Sequence, residues 1–270
     1  MQTNSIWGHR ARDWAEIQEK QGINGYAFVL NELNISPAHH LLDVGCGTGL
    51  FCGLVAKQGA GVTGIDAAGV FIKEAVTRVP EGTFLVGKME KLPFPDHTFD
   101  IVTAFNALQY AEDPLLALSE AGRVLTEDGI LTILLWGDPS HCEVISLLKV
   151  FEELTSTTPG THNNPFSLSG PNQLTSMLSS LPIHDIQTHV IPSYWEYPDQ
   201  ITALRGWLSL GAASRAIDMR GIDIVRAALE KLIPTFTRAD GSVSLRNEYQ
   251  IVLCRKLSTS PSLFIQEKIE

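Results

Sequence analysis

Residues 41–66 read LLDVGCGTGLFCGLVAKQGAGVTGID, and this stretch decides the fold. The run before the glycines is continuously apolar, which is typical of a parallel strand covered on both faces. A helical pattern follows the glycines, with Gly59 well placed to end it, and a second apolar run closes on Asp66. The stretch therefore predicts a strand–turn–helix–strand unit, an arrangement that binds nucleotide cofactors.

The chain on either side of this unit continues the alternation of helices and strands. Strand patterns recur at about 99–104 and up to Trp136, with helical patterns between them, and this predicts βαβ units in an open parallel sheet. After Trp136 we expect a sixth strand over 183–195, a helical block over roughly 199–232 and a last strand over 247–256. The block is long for a hairpin loop, so we expect a helical cap inserted at about 198–246, over the carboxyl edge of the sheet.

Composition excludes several classes of partner. The chain has 270 residues, a net charge of −10 and no run of basic residues, whereas nucleic-acid backbones are bound by clustered Lys and Arg. The longest apolar run, ILTILLW, is too short to cross a bilayer, and the first residues lack the apolar core of a signal peptide. The four cysteines show no CxxC pair and no metal-ligand spacing. We expect a cytoplasmic protein with a small neutral or cationic partner, and no nucleic acid, membrane or metal.

The glycine spacing separates two cofactors. Dinucleotide folds use GxGxxG, whereas the run from Gly45 reads GxGxG and places Leu50 where the third dinucleotide glycine would stand. Asp43, two residues ahead of the first glycine, would repel a pyrophosphate and favour the amino and sulfonium groups of S-adenosylmethionine (SAM). Asp66 suits the ribose hydroxyls of either cofactor. The sequence therefore favours SAM, and an NAD-dependent oxidoreductase is the less favoured alternative.

Four stretches together, LLDVGCGTGL, GIDAA, LPFPDHTFDIV and EAGRVLTEDGIL, resemble the class I SAM-dependent methyltransferases. The similarity covers about residues 14–136, and the nearest group is that of small-molecule methyltransferases, including those of ubiquinone and menaquinone biosynthesis. It implies an α/β fold with a Rossmann-like seven-stranded sheet, mostly parallel, with an antiparallel last strand. It also implies in-line transfer of a methyl group from SAM to a small organic acceptor, with S-adenosylhomocysteine (SAH) as product. The acceptor itself is not implied.

The resemblance further implies which residues surround SAM. Residues 1–36 would close over the cofactor, residues 37–256 would form the SAM-binding domain with its cap, and residues 257–270 would be a loosely held tail. Within the site, the turn surrounds the methionine part, Asp66 takes the ribose hydroxyls, and an arginine of the N-terminal segment pairs with the cofactor carboxylate. The residues implied are Asp43, Gly45, Cys46, Gly47, Asp66, Ala67, Met89, Phe105, Asn106, Trp14 and Arg10.

Several of these residues have a second interpretation. Asp66 could instead cap the helix that follows it. Asp43 could instead have a structural role, with its carboxylate hydrogen-bonded by backbone donors. Arg10 and Arg12 are equally well interpreted as solvent-exposed charges on a helix face. Trp7 belongs to the same segment that would close over SAM. The family commonly has an acidic residue for the adenine amino group where this chain has Lys88, so Glu90, a backbone carbonyl or water is expected to replace it.

The acceptor side offers candidates but no assigned catalytic residue. Loops at the carboxyl edge of the sheet carry Tyr110, Trp136, His141, Tyr194 and Trp195, and the polar loop over residues 155–173 carries His162. His141 is the first choice for a base, with Tyr110 the other candidate, although a histidine at a helix start is also a common surface residue. The aromatic run SYWEY, residues 193–197, has two interpretations: it lines an acceptor pocket, or it packs in the core.

Three points stay open on the sequence alone. The methyl group on a sulfonium is already activated, so transfer needs alignment above all and a base is dispensable. A SAM-binding protein with a regulatory or other non-methyltransferase role is an alternative function. The chain is equally compatible with a monomer or a homodimer.

Overall fold

The computed structural model describes residues 10–155, 164–170 and 172–258. Within these residues, seven strands form one sheet in the order β3-β2-β1-β4-β5-β7-β6. The strands are β1 (His40–Val44), β2 (Gly61–Asp66), β3 (Thr83–Val86), β4 (Phe99–Phe105), β5 (Leu125–Trp136), β6 (Ile183–Tyr197) and β7 (Val243–Lys256). β1 to β5 pair in parallel, and β7 runs antiparallel to both β5 and β6. The predicted Rossmann-like sheet with an antiparallel last strand is confirmed.

Helices bury both faces of this sheet. Six precede β6 or lie between the earlier strands: α1 (Ile23–Leu33), α2 (Leu50–Ala56), α3 (Gly69–Arg78), α4 (Pro114–Val124), α5 (Ile145–Thr155) and α6 (Gln173–Leu178). Leu41 of β1 belongs to one hydrophobic cluster and its neighbour Leu42 to the other, so successive side chains of a strand enter two separate cores. This explains the continuous apolar pattern of the strands.

The residues before α1 form an irregular helical segment, residues 11–22, which we call the N-terminal segment. It consists of a short α turn (Ala11–Asp13), a π turn (Trp14–Gln18) and a 3₁₀ turn (Glu19–Gly22). Changes of helical pitch of this kind accompany functional positions and hinges. Trp7, His162 and the tail beyond Ser258 lie outside the described residues.

Three consecutive helices connect β6 with β7, namely α7 (Gln200–Leu208), α8 (Gly211–Arg220) and α9 (Ile222–Leu232). They form the helical insertion that the sequence predicts. β7, however, begins at Val243 rather than at Asn247, and its pairing with β6 extends to Tyr197↔Val243. The additional residues alternate buried Val243 and Leu245 with less buried polar neighbours, a pattern too short to identify as strand from sequence.

Candidate cofactor site

The turn between β1 and α2 forms the floor of the candidate site. Gly45, Gly47 and Gly49 have φ angles of +76°, +53° and +76°, a backbone region that favours glycine. A Cβ on Gly45 would lie only 2.3 Å from the Cβ of Ala107, so the segment after β4 packs directly on the turn. The backbone N–H groups of Gly45 and Cys46 both donate to the Ile65 carbonyl, at 2.7 and 3.1 Å. Close packing and backbone conformation therefore explain the glycine pattern.

Asp43 is buried directly before this turn. Its Oδ1 accepts a hydrogen bond from the Thr103 hydroxyl at 2.7 Å, and its Oδ2 accepts a longer one from Cys52 Sγ at 3.7 Å. Burial raises the pKa of Asp43 to about 7, and the Thr103 hydrogen bond only partly offsets this effect. A carboxyl group poised between its two protonation states at neutral pH will favour its charged form when a cation lies beside it.

Asp66 ends β2 and joins two backbone segments. Its Oδ2 accepts the Gly47 N–H at 3.0 Å and its Oδ1 accepts the Ala68 N–H at 2.7 Å. Burial raises the pKa of Asp66, while both backbone hydrogen bonds lower it. Each carboxylate oxygen still has a second lone pair, so both oxygens can accept from a ribose hydroxyl. Capping is thus only part of its role, because the contact with Gly47 fixes the cofactor turn.

The adenine side differs from the family pattern in a defined way. Lys88 donates to Glu112 Oε1 at 2.6 Å on the surface, and Glu90 Oε1 accepts the Glu112 N–H at 2.7 Å. The Glu90 carboxylate, one expected substitute for the missing acidic residue, is therefore engaged elsewhere through that oxygen. Met89 is partly buried against the core and Ala67 is half-buried beside Asp66, so their placement agrees with an adenine pocket.

Asn106 and Gln109 follow β4 and bear unsatisfied polar atoms. Within the described residues, Asn106 Oδ1 and both amide atoms of Gln109 are buried without a hydrogen-bond partner. Buried polar atoms in native proteins are nearly always paired, so such atoms suit a ligand. The Asn106 oxygen, beside the glycine turn, fits the α-amino group of SAM. Gln109 was missed by sequence reasoning, since a glutamine in a loop carries no signal of burial.

The ring of Phe105 contributes packing rather than ligand contact. It lies 5.4 Å from the Tyr26 ring and 4.7 Å from the Phe51 ring, measured between centroids, and is buried. Only the Phe105 backbone, at the carboxyl end of β4, faces the edge where ligands of open α/β sheets bind.

The N-terminal segment lies on the glycine turn. The Trp14 ring stacks on Phe71 with centroids 6.0 Å apart, and Trp14 Nε1 lies 4.0 Å from where a Cβ on Gly47 would stand. Arg10 Nη1 donates to Asp13 Oδ2 at 2.9 Å, so its guanidinium is already paired within the segment. Pairing of Arg10 with the cofactor carboxylate stays a prediction and would require exchange of this contact. Glu19, which sequence reasoning also missed, reaches the turn from the same segment.

The two candidate bases differ in their surroundings. The His141 side chain is 63% exposed and its Nδ1 lies 3.1 Å from Glu248 Oε2, which agrees with the surface interpretation. Burial raises the pKa of the Tyr110 hydroxyl to about 12, so at neutral pH this group stays protonated.

The two aromatic residues proposed for the acceptor pocket do not share a surface. Tyr194 is 43% exposed and Trp195 is 4% exposed, because consecutive residues of β6 point to opposite faces. Trp195 packs on Trp136 with centroids 5.5 Å apart, and Trp136 packs on Tyr249 at 5.3 Å. The expectation that Tyr194 and Trp195 line one pocket is therefore wrong, and Trp136 and Trp195 belong to the core.

Among the described residues, metal-binding side chains do not cluster. The described residues contain no group of three or more His, Cys, Asp or Glu side chains arranged to hold a metal ion. Nor does any helix among the described residues have the length and apolar character needed to cross a membrane.

Comparison with known proteins gives matches in sequence and fold. Residues 42–133 match the family described as a methyltransferase domain. Malonyl-[acyl-carrier protein] O-methyltransferase of Serratia marcescens is 28% identical over 178 residues, which are 65% of this chain and 65% of that protein. Demethylmenaquinone methyltransferase of Renibacterium salmoninarum is 31% identical over 112 residues, 42% of this chain and 47% of that protein. The YcgJ protein of Bacillus subtilis shares the fold, with a TM-score of 0.58 and 22% identity over 87% of this chain and 99% of that one.

The matched region spans 65% and 47% of the length of these two curated relatives. The residues that match the methyltransferase domain, 42–133, include the end of β1 and all of β2, β3 and β4, together with the glycine turn and both carboxylates of the site. The strand order, the turn geometry and the matched domain agree with one another and with the sequence motifs. Residues 42–133 of this chain therefore carry a methyltransferase domain, and the chain is similar to methyltransferases in sequence and in fold.

Proposed function

We propose that this chain transfers the methyl group of SAM to a small organic acceptor by in-line displacement. The observation that carries the proposal is the pair of carboxylates at the glycine turn, the buried Asp43 before it and the half-buried Asp66 bound to it. Asp66 suits the ribose of either cofactor, whereas the Asp43 carboxylate beside the turn favours a ligand with cationic groups and opposes a diphosphate. This charge pattern argues against the NAD alternative. The unpaired Asn106 oxygen and the glycine cradle also suit the amino end of SAM.

The residues of the chain bind and align rather than exchange protons. SAM supplies a methyl group already activated by a positive sulfur. The turn and Asp66 hold the two halves of the cofactor, and the N-terminal segment excludes water from above. Neither His141 nor Tyr110 supports a general-base role, so the proposal assigns the protein an aligning function and leaves deprotonation to the acceptor's own acidity.

The class of acceptor is supported by the names of the relatives. These name a malonyl-[acyl-carrier protein] and a demethylmenaquinone as the groups that those proteins methylate. Both are organic acceptors, which supports a metabolite or natural-product acceptor here and not a nucleic acid. All four cysteines are unpaired and buried, which supports a reducing, cytoplasmic location. We propose a monomer or a homodimer.

The proposal is tested by comparing ligands on the same protein. SAM and SAH should each raise the melting temperature, whereas NAD should not. By calorimetry, Asp66→Ala should weaken SAM binding at least tenfold, because it removes both the ribose acceptor and the anchor of the Gly47 N–H. Asp66→Asn, which keeps one acceptor oxygen, should be intermediate.

Transfer itself requires a separate measurement. Incubation with methyl-labelled SAM and a panel of phenols, quinols, amines and carboxylic acids should yield labelled product from at least one class. Stabilisation by NAD but not by SAM would overturn the proposal. Tight SAM binding without transfer to any member of the panel would favour the regulatory alternative.

A further inference from the structure

Glu19 is a buried carboxylate that connects three parts of the molecule. Its Oε1 accepts the Thr48 N–H at 3.2 Å, and its Oε2 accepts the Thr48 hydroxyl at 2.5 Å. The same Oε2 accepts Arg78 Nη1 at 2.7 Å, and Arg78 Nη1 also donates to Thr48 Oγ1 at 2.7 Å. Glu19 belongs to the N-terminal segment, Thr48 to the glycine turn and Arg78 to the end of α3. The three side chains therefore join the segment to the cofactor site.

The carboxylate of Glu19 lies directly on the turn. A Cβ added to Gly47 would come within 3.3 Å of Glu19 Oε1 and 4.0 Å of Trp14 Nε1. The N–H of the same Gly47 is held by Asp66 from the other side. A ligand bound at the turn would therefore lie close to Glu19 and Trp14, which both belong to the N-terminal segment.

Of the other ion pairs of the segment, the Arg10–Asp13 pair is local in the chain and does not reach the turn, and the rest are exposed. The Arg12–Glu16 pair has side chains 87% and 45% exposed, and the Arg205–Asp13 pair includes an arginine that is 47% exposed. Exposed pairs of this kind contribute little to stability. The Glu19 side chain is 4% exposed and its partner Arg78 is 28% exposed. Glu19 is thus the polar contact best able to fix the segment on the turn.

Because Glu19 is more deeply buried than Arg78, removing one partner should destabilise the protein more than removing the other. Without Arg78, the Glu19 charge would stay buried and unpaired, which is strongly unfavourable. Without the Glu19 charge, the partly exposed guanidinium of Arg78 can be hydrated by solvent. A glutamine at position 19 can still accept a hydrogen bond from Thr48. Arg78 is therefore the more sensitive position, and loss of both charges together should be milder than loss of Arg78 alone.

We propose that Glu19 is a positioning residue that latches the N-terminal segment onto the cofactor turn, with Arg78 as its counter-ion, and that opening of this latch admits and releases the cofactor. The inference rests on the proposed function for the identity of the cofactor. The latch itself is a property of the free protein and can be measured without any ligand.

The experiment uses the full chain and trypsin. Lys20 follows Glu19 and is exposed, so cleavage after Lys20 reports lifting of the segment. Arg78→Met should accelerate this cleavage at least tenfold and weaken SAM binding at least tenfold, mainly through faster dissociation. Glu19→Gln should change both by about threefold. The double variant should resemble Glu19→Gln, because the unpaired carboxylate is gone. SAM should slow the cleavage of the wild-type chain.

Glu16→Gln is the matched control, since it breaks the exposed Arg12–Glu16 ion pair of the same segment without removing a trypsin site, and it should leave both readouts within twofold of the wild type. Circular dichroism melting of each variant separates latch opening from general unfolding. If Arg78→Met does not fold, Glu19→Ala, which removes every Thr48 contact, should give the tenfold changes instead.

The outcomes distinguish this inference from the proposed function. Wild-type protein that fails to bind SAM overturns the proposed function, while the cleavage rates of the free variants still decide the latch. Unchanged cleavage and unchanged SAM affinity in Arg78→Met and Glu19→Gln overturn the latch alone. A double variant as impaired as Arg78→Met also overturns it, because the damage would then come from other contacts of Arg78.

Discussion

Asp43 shows how one residue can favour ligand binding at the expense of stability. Its buried charge favours a cationic ligand but destabilises the free protein. Its pKa of about 7 in the folded chain is raised by burial from an ordinary value near 4. Folding therefore takes up a proton, and the stability that this carboxyl group contributes is present below about pH 4 and lost as the pH rises towards 7. Above pH 7 the buried charge costs up to about 4 kcal/mol relative to the neutral form.

We expect Asp43→Asn to stabilise the free protein and to impair the site. The amide oxygen can still accept from Thr103, so at pH 8 the variant should melt at a higher temperature than the wild type, and the difference should shrink by pH 5. Wild-type SAM affinity should fall about tenfold between pH 8 and pH 6, as Asp43 becomes protonated. The variant should bind SAM at least tenfold more weakly, without this pH dependence.

Calorimetry at pH 6, 7 and 8 measures these affinities. Equal wild-type affinities at all three values, or a variant that keeps the wild-type pH profile, would show that Asp43 does not face the cation.

Residues were predictable where identity and spacing together carry the chemistry. Asp43 and Asp66 flank a glycine turn, and the structure places both carboxylates there. Glu19 was not predictable, because nothing in the sequence separates it from Glu16, which is solvated three residues earlier. Only the tertiary approach of Thr48 and Arg78 makes Glu19 special, and sequence patterns do not reveal such contacts.

At the scale of the secondary-structure elements, Arg123 of the EAGRVLTEDGIL motif connects α4 to the loop that precedes β4. This residue of α4 donates from Nη2 to the Leu92 carbonyl at 3.0 Å and from Nη1 to the Phe94 carbonyl at 2.8 Å. It also donates to Asp96 at 2.7 Å and, through Nε, to Glu120 at 2.6 Å. A single planar guanidinium thus holds the whole loop that leads into β4 against α4, which a point charge cannot do.

Arg123→Lys should therefore destabilise the fold by about 2–3 kcal/mol, since the loop carbonyls lose charged donors. Arg226→Lys is the matched control, because Arg226 is exposed and pairs only loosely with Asp223 at 3.3 Å; it should change stability by less than about 0.5 kcal/mol. Urea unfolding followed by circular dichroism measures both. Equal losses in the two variants would mean that the fork geometry of Arg123 is unimportant.

Elements were predictable where the hydrophobic pattern is strong. β1, β2 and β4 lie close to their predicted places because most of their side chains are buried on both faces of the sheet. β7 was predicted too short, since its first residues alternate around serine and arginine. Tyr194 and Trp195 point in opposite directions because successive side chains of a strand alternate between the two faces of the sheet. This difference was predictable from the sequence once the strand had been identified.

At the scale of the whole molecule, the N-terminal segment meets the end of β6 and the first of the inserted helices. The Tyr197 hydroxyl donates to Gln18 Oε1 at 2.9 Å, and the Glu196 N–H donates to Gln21 Oε1 at 2.7 Å. Arg205 of α7 donates to Asp13 at 2.7 Å. These contacts join the N-terminal segment to β6 and the inserted helices, so the cover of the cofactor turn and the cap are coupled. Pairs this distant in sequence leave no local pattern, and the coupling was not predictable.

The buried and the exposed contacts of this junction should differ in strength. Tyr197→Phe leaves the buried Gln18 oxygen without its donor, so we expect a loss of about 1–3 kcal/mol that persists in 1 M salt. Arg205→Gln removes an exposed ion pair, so we expect a loss below about 1 kcal/mol that disappears in 1 M salt. Unfolding by urea at low and high salt measures both variants. A larger, salt-sensitive loss in Arg205→Gln, with Tyr197→Phe unchanged, would show that surface charge rather than the buried hydrogen bond holds the segment against the cap.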